Sequence, residues 1–246
     1  MKTKIPSVPI YKLIPHLLTI FALCLGISAV RYALDGKFII AAGLIIISAV
    51  MDSLDGRIAR LLNCTSDFGA QLDSLADIVS FGVAPALVAY LWSMHEIPYK
   101  GVGWSVVLFY ITCNALRLAR FNVGLQSTEE SERGKQFFIG VPVTAAACLS
   151  LLPMISTFEL VSFQYSYWFT AGYLVSLGLL MVSRLPTFSG KYVEVEEKHI
   201  PFFLTMGCLL CTGLILEPWI TIPLIGLLYL LSIPVAILAH YKWYSN

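Results

Sequence analysis

DSLDGRIARLLNCTSDFGAQLDSLAD, residues 52–77, is the stretch on which the fold turns. Asp52 and Asp55 stand three apart, Asp73 and Asp77 four apart, and apolar sequence flanks both pairs. Residues at these spacings share a helix face, so each pair presents two carboxylates to one place, one pair per helix. A carboxylate at membrane depth costs about 2.5–3.5 kcal/mol on insertion scales and persists where it faces a cavity or a partner. Four gathered together also repel one another. Divalent cations relieve both costs, and an all-oxygen set with no neighbouring His suits Mg2+ or Mn2+ rather than Zn2+. Two carboxylate-bridged ions about 4 Å apart form the arrangement used for displacement at phosphorus.

The residues between the acids fit the same reading. Gly56 and Ala59 beside the first pair, and Gly69 before the second, leave backbone open for a bulky ligand. Arg60 adds planar donors suited to phosphate. Thr65 and Ser66, in the polar link 63–67, are candidate helix caps. The pattern is D-x2-D-G-x2-A-R-x8-G-x3-D-x3-D.

Outside this stretch the composition is that of a membrane protein. The 246 residues are 58% hydrophobic and 13% charged, against about 25% charged in an average protein, and the mean hydropathy is +0.79. This predicts an all-α polytopic membrane bundle of about eight helices, near 13–34, 37–62, 67–93, 103–122, 140–157, 166–184, 199–216 and 219–240. Residues 1–12 read as a cytoplasmic segment without a cleavable leader, 13–191 as the catalytic membrane core, and 192–246 as an added helix pair. A net charge of +1 makes no case for nucleic acid.

The positions Asp52, Asp55, Gly56, Ala59, Arg60, Gly69, Asp73 and Asp77 resemble the signature of the CDP-alcohol phosphatidyltransferase family, membrane enzymes that displace CMP from a CDP-linked substrate by an acceptor hydroxyl. SLADIVSFGVAPA (74–86), LRLARFNV (116–123), FIGVPVTAAA (138–147) and LMVSRLPTFSGK (180–191) look like its serine-using branch. The resemblance implies CDP-diacylglycerol and L-serine as substrates within membrane lipids. It also implies two Mg2+ or Mn2+ ions on Asp52, Asp55, Asp73 and Asp77, with Asp77 as general base, and nucleotide contacts near Gly56, Ala59, Arg60, Thr65, Ser66 and Gly69. Homodimers are common among such enzymes. Pro15 and His16 stand where relatives usually carry Pro-Asn, and His16 is read as an interface residue.

Lys and Arg distribution orients the chain. Under the eight-span reading, thirteen of the sixteen fall on one side, and only Arg31, Lys37 and Lys100 on the other. This places both termini and the signature in the cytoplasm, as in a bacterial or archaeal inner membrane. Arg117 and Arg120 interrupt an apolar run at helical spacing, so one of them is expected, with Asn122, to bind the acceptor. Ser80, one turn beyond Asp77, either faces the acceptor or bonds its own helix backbone. Gly82 and Pro85 are expected to loosen their helix. Two alternatives stand beside the serine reading: glycerol 3-phosphate or inositol as acceptor, and a cation transporter lined by the four acids.

Overall fold

The computed structural model describes residues 13–62, 64, 66–126, 137–161, 163, 165–183, 185–188 and 197–244. Helix α1 (Ile14–Leu34) turns back through Asp35, Gly36 and Lys37 into α2 (Phe38–Leu61). Gly36 takes φ +72°, a conformation open to glycine and costly for other residues, which allows the tight reversal. The two helices meet along small residues: α1 buries Ala22, Gly26, Ala29 and Ala33, and α2 buries Ala41, Ala42 and Ser48. Since lipid solvates apolar side chains as well as protein does, such close backbone approach is what joins membrane helices. Ser48 Oγ donates to the Ala22 carbonyl at 2.8 Å across this seam.

Helix α3 (Asp67–Asp77) starts at Ser66, whose Oγ accepts from the Gly69 N–H at 3.1 Å. It runs directly into a π-helical turn, Ile78–Val83, and then α4 (Ala84–Trp92). The loosening expected at Gly82 and Pro85 takes this form. Pro85 has no N–H to give the Phe81 carbonyl and its ring crowds it, so the backbone widens just ahead of the proline. Gly26 of α1 packs so closely on this turn that a Cβ there would lie 2.9 Å from Ser80.

Helix α5 (Lys100–Gln126) returns to the signature side. The single span expected over 140–157 is instead two short helices, α6 (Val143–Ser150) and α7 (Leu152–Glu159). Pro153 explains the break, for it cannot serve the Leu149 carbonyl as a helix would require. The hydroxyl of Tyr173 donates to that carbonyl at 3.0 Å. Tyr173 belongs to α8 (Tyr167–Val182), which packs along α5. Phe137–Ile139 and Pro186–Phe188 form a three-residue antiparallel ladder, a strand element absent from the sequence reading. The chain closes with α9 (Ile200–Leu216) and α10 (Pro218–Tyr244).

Among the described residues five helices are long and apolar enough to cross a membrane: 14–34, 38–61, 67–92, 101–123 and 218–235. Helices α8 and α9 have 16 and 17 residues. At 1.5 Å per residue they reach about 24–26 Å, short of a hydrocarbon core of about 30 Å. The architecture is an all-α polytopic bundle whose main core lies between α4, α5, α6 and α8, around Tyr110, Leu174, Leu177 and Met181. Ile233 of α10 joins that core, whereas α9 buries no residue.

Candidate active site

The antiparallel α1–α2 hairpin and the reversal into α3 bring the two acid-bearing helix ends side by side. Carboxylate oxygens of Asp52, Asp55 and Asp73 lie within 4.8 Å of one another, although 18 residues separate Asp55 from Asp73. Asp77 completes the set: its carboxyl shares a hydrogen bond with Asp52 and interacts electrostatically with Asp55 and Asp73. Asp55 is buried, 4% exposed, and Asp52, Asp73 and Asp77 are half-buried. A half-buried acidic quartet is unfavourable unless protons or cations lie between the oxygens, and its four side chains offer only oxygen donors. The set therefore fits a hard divalent ion.

Supports behind the acids fix their aim. Thr19 Oγ1 donates to Asp55 Oδ2 at 2.6 Å, and the Gly56 N–H donates to the same carboxylate. A hydroxyl has one proton, so the more distant Pro15 carbonyl, at 3.1 Å from Oγ1, competes for it. Such contacts orient a ligating carboxylate and hold it in one rotamer. Neither Thr19 nor its role is visible in the signature; the one hint is a hydroxyl inside an apolar run.

The ring of His16 packs edge-on to Phe68 at 5.7 Å, near Asp55. A Cβ on Gly69 would stand 2.6 Å from His16 Cε1, so the signature glycine is what admits this ring. Gly56 differs, because a Cβ there would meet nothing within 4 Å. Glycine inside a helix costs up to about 1 kcal/mol relative to alanine. No packing contact explains Gly56, whose helix face is open.

The other expected site residues divide. Ala59 is half-buried and Arg60 exposed beside the acids. Ser66 spends its hydroxyl on the helix cap, and Thr65 lies outside the described residues. Ser80 is buried against Gly26, and its Oγ has no partner among the described residues, so it does not make the expected bond to its own helix backbone. Asn122 Nδ2 donates to Ser74 Oγ at 3.0 Å, bracing α5 against the residue after Asp73. The Arg120 guanidinium donates to the carbonyls of Val182 and Ser183 at 3.0 and 3.4 Å, capping α8. Arg117 makes no such cap. It is half-buried, interacts electrostatically with Asp77, and its Nε has no partner among the described residues.

Residues 12–181 match the family described as CDP-alcohol phosphatidyltransferase. The chain belongs to that family. Its members are transferases, and a second family description, CDP-alcohol phosphatidyltransferase 2, matches residues 200–234. Relatives named CDP-diacylglycerol–serine O-phosphatidyltransferase match most of the chain. The protein of Mycobacterium leprae is 36% identical over 92% of this chain and 75% of its own length. That of Helicobacter pylori is 38% identical over 74% and 75%, and that of Bacillus subtilis 35% identical over 70% and 88%. As a CDP-alcohol phosphatidyltransferase, the chain carries its signature acids on the last turns of α2 and on α3, and all four converge.

Proposed function

We propose that this enzyme transfers the phosphatidyl group of CDP-diacylglycerol to the hydroxyl of L-serine, giving phosphatidylserine and CMP. The observation that carries the reading is the convergence of Asp52, Asp55, Asp73 and Asp77 in a chain whose relatives bear that activity in their names. Asp52, Asp55 and Asp73 would hold one Mg2+ or Mn2+ ion and share a second with Asp77. When bound, such ions bind diphosphate oxygens and offset charge on the departing CMP.

The remaining roles belong to the chain. Gly56 leaves room for the diphosphate, with Ala59, Arg60 and Gly69 lining its approach. Asp77 accepts the proton of the serine hydroxyl as its oxygen bonds to the lipid-bearing phosphorus, and the bond from that phosphorus to CMP breaks. Arg117 supplies the cation for the serine carboxylate, while Arg120 holds the end of α8. The signature end faces the cytoplasm, which agrees with a water-soluble product. Helices α9 and α10 are an addition to the core at 13–191, and the working unit is a homodimer.

Detergent-purified protein, CDP-diacylglycerol and Mn2+ or Mg2+ test this directly, with L-serine, glycerol 3-phosphate and myo-inositol as acceptors. CMP release that needs both metal and L-serine is the expected result. Release with another acceptor alone overturns the serine assignment, and none from well-folded protein overturns the transfer itself.

A further inference from the structure

We infer that Asn114 binds the ammonium group of the acceptor and, with Arg117, forms a pocket for a zwitterion just below Asp77; the inference rests on the serine reading above. Asn114 is 0% exposed in the middle of α5, and neither Oδ1 nor Nδ2 has a hydrogen-bond partner among the described residues. A buried amide with both polar ends unmet is rare in any protein, and more costly where no bulk water reaches. Such a group calls for a ligand.

Position supports this. Asn122 meets Ser74 and Asn114 meets Gly82, eight residues apart on each helix and running in opposite directions. In that register Arg117 lies at the level just below Asp77, and Asn114 one turn deeper. Arg117 and Asn114 are three apart and so share a face of α5. Gly82 is the residue against the amide: a Cβ there would stand 3.1 Å from both Cγ and Oδ1 of Asn114. The absence of a side chain at Gly82 keeps the amide from being displaced.

The two side chains are complementary to an α-amino acid. Its carboxylate and ammonium sit on a single carbon, so two groups one helical turn apart can take one each. Arg117 offers planar donors to the carboxylate, and Asn114 Oδ1 accepts from the ammonium while Nδ2 donates to a carboxylate oxygen. A neutral amide suits the second role, because another carboxylate would add to the four nearby. An uncharged polyol would leave the planar donors of Arg117 without the carboxylate they suit.

The test measures CMP release with three acceptors: L-serine, 3-hydroxypropanoate, which lacks the ammonium, and ethanolamine, which lacks the carboxylate. The wild type should prefer L-serine to both by at least about tenfold in kcat/KM. Asn114→Ala should raise the KM for L-serine by about 10-fold to 100-fold, leave the KM for CDP-diacylglycerol within about twofold, and erase the preference over 3-hydroxypropanoate. Equal use of L-serine and 3-hydroxypropanoate by the wild type overturns the inference even if no Asn114 variant folds. So does Asn114→Ala with an unchanged L-serine KM and a lowered melting temperature, the signature of a residue that only packs or holds a water. CMP release by the wild type with glycerol 3-phosphate but not L-serine overturns the serine reading first, and this inference with it.

Discussion

The α1–α2 seam and the whole of α9 are both built from apolar, membrane-compatible sequence, yet they are used very differently. The α1–α2 seam buries Asp55, braces it with Thr19, and brings the two backbones together at Ala22, Gly26 and Ser48. Helix α9 buries nothing, and Phe202, Phe203, Leu204 and Leu209 are all more than half exposed. In a bilayer, apolarity alone says nothing about packing, because lipid accepts a leucine as readily as a protein core does. Small residues and polar side chains carry that information, since each needs a specific neighbour.

Substitutions can break this contrast or sharpen it. The largest effect is expected at Asp77→Asn, which removes the proton acceptor and should lower kcat by about 10^2 to 10^4-fold while CDP-diacylglycerol still binds. Near wild-type turnover in a CMP-release assay would remove Asp77 from that role. Next comes Thr19→Val, which leaves Asp55 without its hydroxyl donor. The Mn2+ concentration for half-maximal activity should rise about 10-fold to 100-fold, with turnover at saturating metal largely kept. An unchanged metal requirement would make Thr19 a packing residue only.

A smaller effect is expected at Gly69→Ala, whose methyl must displace His16. The KM for CDP-diacylglycerol should rise about threefold to tenfold, and His16→Ala in the same chain should recover part of the loss. Additive losses in the double variant would show that the two residues do not act through each other. The smallest belongs to α9: Phe203→Leu and Leu209→Val should leave activity and melting temperature close to wild type, within about 0.5 kcal/mol of stability. A marked loss would mean that the exposed face of α9 has a specific partner.

Much of the site was legible in the sequence because its geometry is local. Aspartates three and four apart on helices must share a face, and the short link 62–66 leaves the two helices little choice but to meet. What stayed hidden depends on partners far along the chain. Arg117 and Arg120 look equivalent as two arginines in one apolar run, and only the position of α8, whose last carbonyls receive Arg120, separates them. The packing of His16 against Gly69, 53 positions later, is likewise invisible to local pattern. The span over 140–157 reads as continuous by hydropathy, which does not register that Pro153 leaves the Leu149 carbonyl to Tyr173. The π-helical turn after Asp77 was foreseeable as a weakness at Gly82 and Pro85, but not as a widened turn.

The central claim is that two helix ends 18 to 25 residues apart in sequence make one cation site. Mn2+ binding to the purified protein, followed by electron paramagnetic resonance, tests it most directly in the wild type, Asp52→Asn, Asp73→Asn and the double variant. Either single substitution should weaken Mn2+ binding severely, and the double variant should be little worse than the weaker single. Wild-type Mn2+ affinity in Asp52→Asn or in Asp73→Asn, with the protein folded, would contradict it.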